Sequence, residues 1–155
     1  MSDRRPNERA FTASLLRLAR IYRRETDRAL AAHGISDARA LPVLQIARLG
    51  EGVRQGVLAD ELGVEGPSLV RILDQLCASG LVERRDDPSD RRAKTLHLSD
   101  EGRAMAALVE SQLDALRASL LTAVSDVDLV ATLRVLSAFG ASLEATPRRP
   151  RGSED

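Results

Sequence analysis

Residues 65–102, EGPSLVRILDQLCASGLVERRDDPSDRRAKTLHLSDEG, constrain the fold more tightly than any other stretch of the chain. Leu69, Ile72, Leu73 and Leu76 recur at i, i+3, i+4 and i+7, which places one apolar stripe along one side of a helix. The other side carries Ser68, Arg71 and Gln75, three and four positions apart, side chains suited to phosphates and base edges. Pro67 falls in the first turn, where its missing N–H needs no partner. Gly80 provides a tight exit, after which LVERR (81–85) and TLHL (95–98) can pair as strands around the loop DDPSDRRAK. The spacing therefore predicts an amphipathic helix followed by a hairpin with an arginine-bearing tip.

The residues just upstream complete the unit. QGVLADELGV (55–64) reads as a short helix with Leu58 and Leu62 at i and i+4, closed by Gly63. Two short helices joined by a short turn, the second amphipathic, form a helix-turn-helix, and the hairpin adds a wing. That layout presents one element to the major groove of DNA and another to the neighbouring minor groove.

The strings PSLVRILDQL (67–76), GLVERRDDPSDRRAK (80–94) and LSDEG (98–102) resemble the DNA-binding core of the MarR family of bacterial transcription regulators, most closely its SlyA-like branch. DPSDRR is the most specific of them, and the resemblance extends more loosely over residues 9–145. It implies a mainly α fold with a small antiparallel hairpin: a winged helix-turn-helix between N- and C-terminal dimerisation helices. It further implies a homodimer, a pseudo-palindromic double-stranded operator, and repression relieved by a small aromatic carboxylate. The DNA-contacting set is then Pro67, Ser68, Arg71 and Gln75 on the helix with Asp90, Arg91, Arg92 and Lys94 on the wing. Within the family's Asp-x-Arg pattern, Asp90 braces the wing through Arg92, and either Arg91 or Arg92 enters the minor groove. Arg20, Ser36, Arg39 and Arg71 surround the family's ligand position, where an arginine pairs with a carboxylate. The chain departs from the SlyA-like pattern there, with Ala38, Ala40 and Leu44 in place of polar or aromatic side chains.

The remaining sequence fits this architecture. A helix is expected from about Glu8 to Ala32, with Phe11, Leu15, Leu18 and Tyr22 on one stripe, and a second from the N-cap Ser36 to Leu49, kinked or shortened by Pro42. Gly50 and Gly52 mark a loop with a very short strand near Val53. Ser99 caps a helix reaching Val124, and Ser125, with Asp128 in the capping-box place, starts a last helix whose stripe is Leu129, Leu133, Leu136 and Leu143. The expected organisation is a mobile 1–8, one domain over 9–145 with a DNA-binding core at 36–100 and dimerisation helices at 9–33 and 101–145, and a mobile tail at 146–155.

Composition narrows the function classes. The 155 residues suit one domain, and with 43% hydrophobic but only 2% aromatic residues the core is aliphatic. No run approaches the ~18 apolar residues of a membrane span, and the opening MSDRRPNERA lacks a signal-peptide core. With a single cysteine excluding an internal disulfide, the expected setting is the cytoplasm. Net charge is zero, so local clustering at Arg84, Arg85, Arg91, Arg92 and Lys94 has to supply the attraction for DNA. Cys77 reads as a small core residue, His97 as a surface wing residue, and His33 as a helix-end residue; no His/Cys cluster has metal spacing and no cofactor is expected. No Ser-His-Asp set, P-loop or dinucleotide fingerprint appears, so an enzyme is not expected. The competing reading is a winged helix used for protein–protein contact, without a ligand response.

Overall fold

The computed structural model describes residues 4–145, the side chains of Asp37, Arg91 and Arg92 excepted. The elements run α1 (Arg4–Ala31), α2 (Asp37–Leu49), β1 (Val53–Arg54), α3 (Gln55–Leu62), α4 (Gly66–Ala78), β2 (Val82–Asp87), β3 (Asp90–Leu98), α5 (Asp100–Leu120) and α6 (Asp126–Glu144). The fold is thus mostly helical with one small antiparallel sheet, in the order β1-β3-β2. None of the described helices is long and apolar enough to cross a membrane. Two compact units divide the chain, Met1–Arg117 and Ala118–Asp155; the domain expected over 9–145 spans both.

In the first unit the apolar stripes converge on two clusters. Leu69, Leu73 and Leu76 of α4 pack with Val43 and Ile46 of α2, Leu58 of α3, Leu81 and Val82, and Leu96 and Leu98 of β3. A second cluster joins Leu30, Ile35, Ala40, Leu44, Val109 and Leu113, and Met105 packs against both. Ala40 and Leu44, expected beside a ligand position, are thereby core residues. Cys77 packs, half-buried, against the first cluster.

Several boundaries depart from the sequence reading. α1 starts at Arg4, so residues 4–8 are helix rather than polar extension; Pro6 lies within the first turn, where it breaks no hydrogen bond. The ends expected to be mobile, 1–3 and 146–155, lie outside the described residues. Pro42 does not shorten α2, because the carbonyl it leaves unbonded belongs to Ala38, on the exposed first turn. Ser36 has N-cap backbone geometry but no side-chain cap bond, whereas Ser125 accepts from the Asp128 N–H as expected. α5 ends at Leu120, four residues short of Val124. His97 is half-buried rather than fully exposed on the wing: its side chain is 18% exposed, Nδ1 lies 3.0 Å from Glu51 Oε2, and Arg103 from α5 joins the same carboxylate.

The hairpin deviates most. A loop over 86–94 was expected, yet β2 runs to Asp87 and β3 starts at Asp90, leaving Pro88 and Ser89 as the turn. The ladder is regular from Val82↔Leu98 to Asp86↔Lys94 and then jumps to Asp87↔Asp90, so residues 91–93 have no partner on β2. Such a bulge bends and twists the strand that carries it.

Candidate nucleic-acid interface

α4 is positioned from both ends. Gly63, at φ 62° and ψ 32°, adopts the left-handed conformation that closes α3 and turns the chain into the next helix. Gly80, also left-handed at φ 71°, ends the following turn, and Leu81 N–H donates to the Leu76 carbonyl at 3.0 Å. With Leu69, Leu73 and Leu76 buried, the opposite side is left to solvent: Pro67, Ser68, Arg71 and Gln75 are all exposed. Pro67 is in the first turn, as expected, and Arg71 makes no ion pair with any described residue. Val70, on the flank of this face, is 44% exposed.

The wing is braced by a residue the sequence reading passed over. Asp87 is buried at the turn, where Oδ1 accepts from both the backbone N–H and the hydroxyl of Ser89, at 2.8 and 2.6 Å. Its other oxygen accepts from Arg54 Nε on β1 at 2.8 Å. The two Ser89 bonds, with the Arg54 guanidinium adding to them, hold the Asp87 carboxyl down at about 2. An aspartate bonding the N–H two residues on is an Asx-turn, and the string Asp87-Pro88-Ser89 carries its signature. Asp90 stands exposed at the start of β3. Its expected bridge to Arg92, and the question of which arginine points to DNA, fall on side chains outside the described residues.

Charge on the hairpin is more balanced than its arginine count suggests. Lys94 bonds Asp86 across the ladder, Arg85 bonds Glu83 at 2.8 Å, and Arg84 bonds Asp74 of α4 at 2.5 Å. At the wing's base, Ser99 donates to the Gly80 carbonyl at 2.6 Å and accepts from the Gly102 N–H at 3.0 Å, capping α5 as expected. A Cβ built on Gly102 would stand 2.1 Å from the Leu81 carbonyl oxygen, so the hairpin and α5 meet there backbone to backbone.

The four residues expected around a ligand are dispersed over α1, the α1–α2 connection, α2 and α4, and all are exposed. The concavity beside Arg20 is lined by Arg17, Arg20, Ile21, Arg23, Arg24 and Asp27, all from α1; Ser36, Arg39 and Arg71 are not part of its wall. A separate network links two helices: Arg48 of α2 makes a two-bonded contact with Glu110 of α5, and Arg117, also of α5, bonds Glu110 as well. The two arginines hold the Glu110 carboxyl below the ordinary glutamate range.

Known proteins share this arrangement. The profile of the MarR family matches residues 33–93, from the end of α1 through the hairpin bulge. Staphylococcus aureus MepR, solved with DNA, superposes with a TM-score of 0.73 at 21% identity over 84% of this chain and 95% of its own. Staphylococcus aureus MarR, solved with salicylate and kanamycin, does so with 0.77 at 20% identity over 90% and 94%. Both have the same fold. The transcriptional regulator PA3341 is nearer in sequence, 36% identical with a TM-score of 0.81, over 88% of this chain and 99% of its own. An identity of that size along the whole of another transcriptional regulator, with the family profile lying over the helix-turn-helix and wing, makes this chain a member of the MarR family.

Proposed function

We propose that the chain is a homodimeric, cytoplasmic repressor of the SlyA-like branch that binds a pseudo-palindromic operator and releases it when a small aromatic carboxylate binds. The observation that carries the DNA reading is the exposed stripe of Pro67, Ser68, Arg71 and Gln75 on a helix whose other side is anchored in the core. Beside it stands a hairpin whose turn is fixed by Asp87. MepR, solved with DNA, supports the same use of the fold. In this reading α4 enters the major groove while Asp90, Arg91, Arg92 and Lys94 serve the wing. The strings PSLVRILDQL and DPSDRRAK support the SlyA-like assignment.

Dimerisation is supported by apolar surface at both ends. Leu16 and Leu18 of α1 are 66% and 52% exposed, and α6 buries no residue within its own unit while Val127, Val130 and Leu133 are more than half exposed. The ligand reading rests on Arg20, Ser36, Arg39 and Arg71, and on Staphylococcus aureus MarR having been solved with salicylate.

The test is selection by the full chain from a randomised pool of duplexes, followed by affinity measurement with and without millimolar salicylate. The expected result is a two-fold symmetric site bound as a dimer and weakened by the acid. Failure to enrich any duplex would point to the protein–protein reading instead. Enrichment with no response to a panel of benzoate-like acids would overturn the ligand part alone.

A further inference from the structure

Among the described cations of the hairpin, Arg84 bonds α4, whereas Arg85 and Lys94 bond carboxylates of β2. Its side chain is 25% exposed, and it reaches away from the wing tip to α4. Nη1 donates to Asp74 Oδ1 at 2.5 Å and Nη2 to the Val70 carbonyl at 3.2 Å. Val70 and Asp74 are one helical turn apart, so the guanidinium fork is tied both to the backbone and to a side chain of the same turn of α4. Nε is buried without a partner among the described residues, so the two Nη bonds are what hold the head group in place. The root of the side chain is equally fixed, because Arg84 pairs with Leu96, the fully buried centre of β3 that also pairs with Val53 of β1.

This clamp supplies what the core under α4 does not. Burial of Leu69, Leu73 and Leu76 holds the helix down, but apolar attraction is non-directional and resists a small roll or slide only weakly. Hydrogen bonds from one sheet residue to two points on the helix fix its azimuth. Arg71 lies inside the clamped turn and Gln75 immediately after it. We propose that Arg84 is a positioning residue for DNA recognition: through Asp74 and the Val70 carbonyl it sets the orientation of the Arg71 face relative to the wing, without itself contacting DNA. The inference rests on the DNA-binding reading above.

The clamp and simple electrostatics predict opposite signs at Asp74. This carboxylate is 59% exposed on the helix expected to face phosphates, so Asp74→Asn removes repulsion and, by charge alone, tightens binding. The clamp predicts the reverse. Measured on the duplex selected by the wild-type chain, D74N should bind about fivefold more weakly, as expected for coupled side chains in contact. Its salt slope should be unchanged, and its preference for the selected duplex over a scrambled one should fall. R84K should lose as much as R84A, because an ammonium cannot span both acceptors. The R84A/D74N double variant should lose no more than R84A alone. D74N binding as tightly as wild type or tighter overturns the proposal, as does an R84A variant whose salt slope drops by about one counterion with selectivity intact, the mark of a phosphate contact. Should R84A not fold, D74N and R84K decide alone, with melting temperatures confirming that they are native. A wild-type chain that enriches no duplex instead removes the DNA-binding reading and this inference with it, before any variant is compared.

Discussion

Asp87 organises the turn of the wing. Three donors converge on it, two from Ser89 and one from Arg54. By the family's Asp-x-Arg pattern the brace is expected at Asp90, and 86–94 reads as loop. The competing local signal, an aspartate before Pro-Ser, is present in the sequence and was passed over. Arg54 was invisible for a different reason: nothing in a sequence shows that a two-residue strand lands beside a turn 33 positions away. The acid dependence follows from the depressed carboxyl. A group whose folded value lies at about 2, against an ordinary 3.8, contributes stability that is present above the ordinary value and disappears as pH falls toward 2. Urea unfolding should therefore show wild type losing stability between about pH 4 and pH 2, while Asp87→Asn starts less stable and loses less over that window. Parallel pH profiles for the two proteins would show that Asp87 is not a source of acid sensitivity.

Elements were legible where a strong period set them. The i, i+3, i+4, i+7 pattern of α4 and the glycines at 63 and 80 located the recognition helix to within a residue or two. The wing was not, because its outer half has no alternation of apolar and polar residues; pairing there is set by the bulge at 91–93 and by the Asp87 turn, whose Ser89 bonds are local and whose Arg54 bond is tertiary. That difference between a core-anchored helix and a bulged ribbon predicts different roles on DNA. Arg71→Ala should cost roughly 1–3 kcal/mol and relax the preference at one position per half-site. Replacing Arg91 and Arg92 together by Ala should instead lower affinity evenly across sequences and flatten the salt dependence. Fluorescence anisotropy over a salt series with matched and mismatched duplexes separates the two. Unchanged affinity and slope in the wing variant would show that the hairpin is not a DNA contact.

Across the whole molecule, the terminal helices are legible in order and approximate length, each with an apolar stripe, yet Leu133 and Leu143 of the α6 stripe stay exposed and α6 buries nothing within its own unit. Removing residues 126–155 should leave a monomeric or insoluble chain with little operator affinity, as sedimentation and anisotropy would record; a truncated chain that remains dimeric and binds normally would refute the assignment of these helices. The contact at Gly102 bears on how such an assembly moves. Leu81 and the first turn of α5 touch with no side chain between them, and Ser99 stitches the same corner to Gly80. There is no slack at that joint to absorb a rotation. A tilt of α5 at Gly102 should therefore carry the base of the hairpin with it, as a lever moves a bracket bolted to its end.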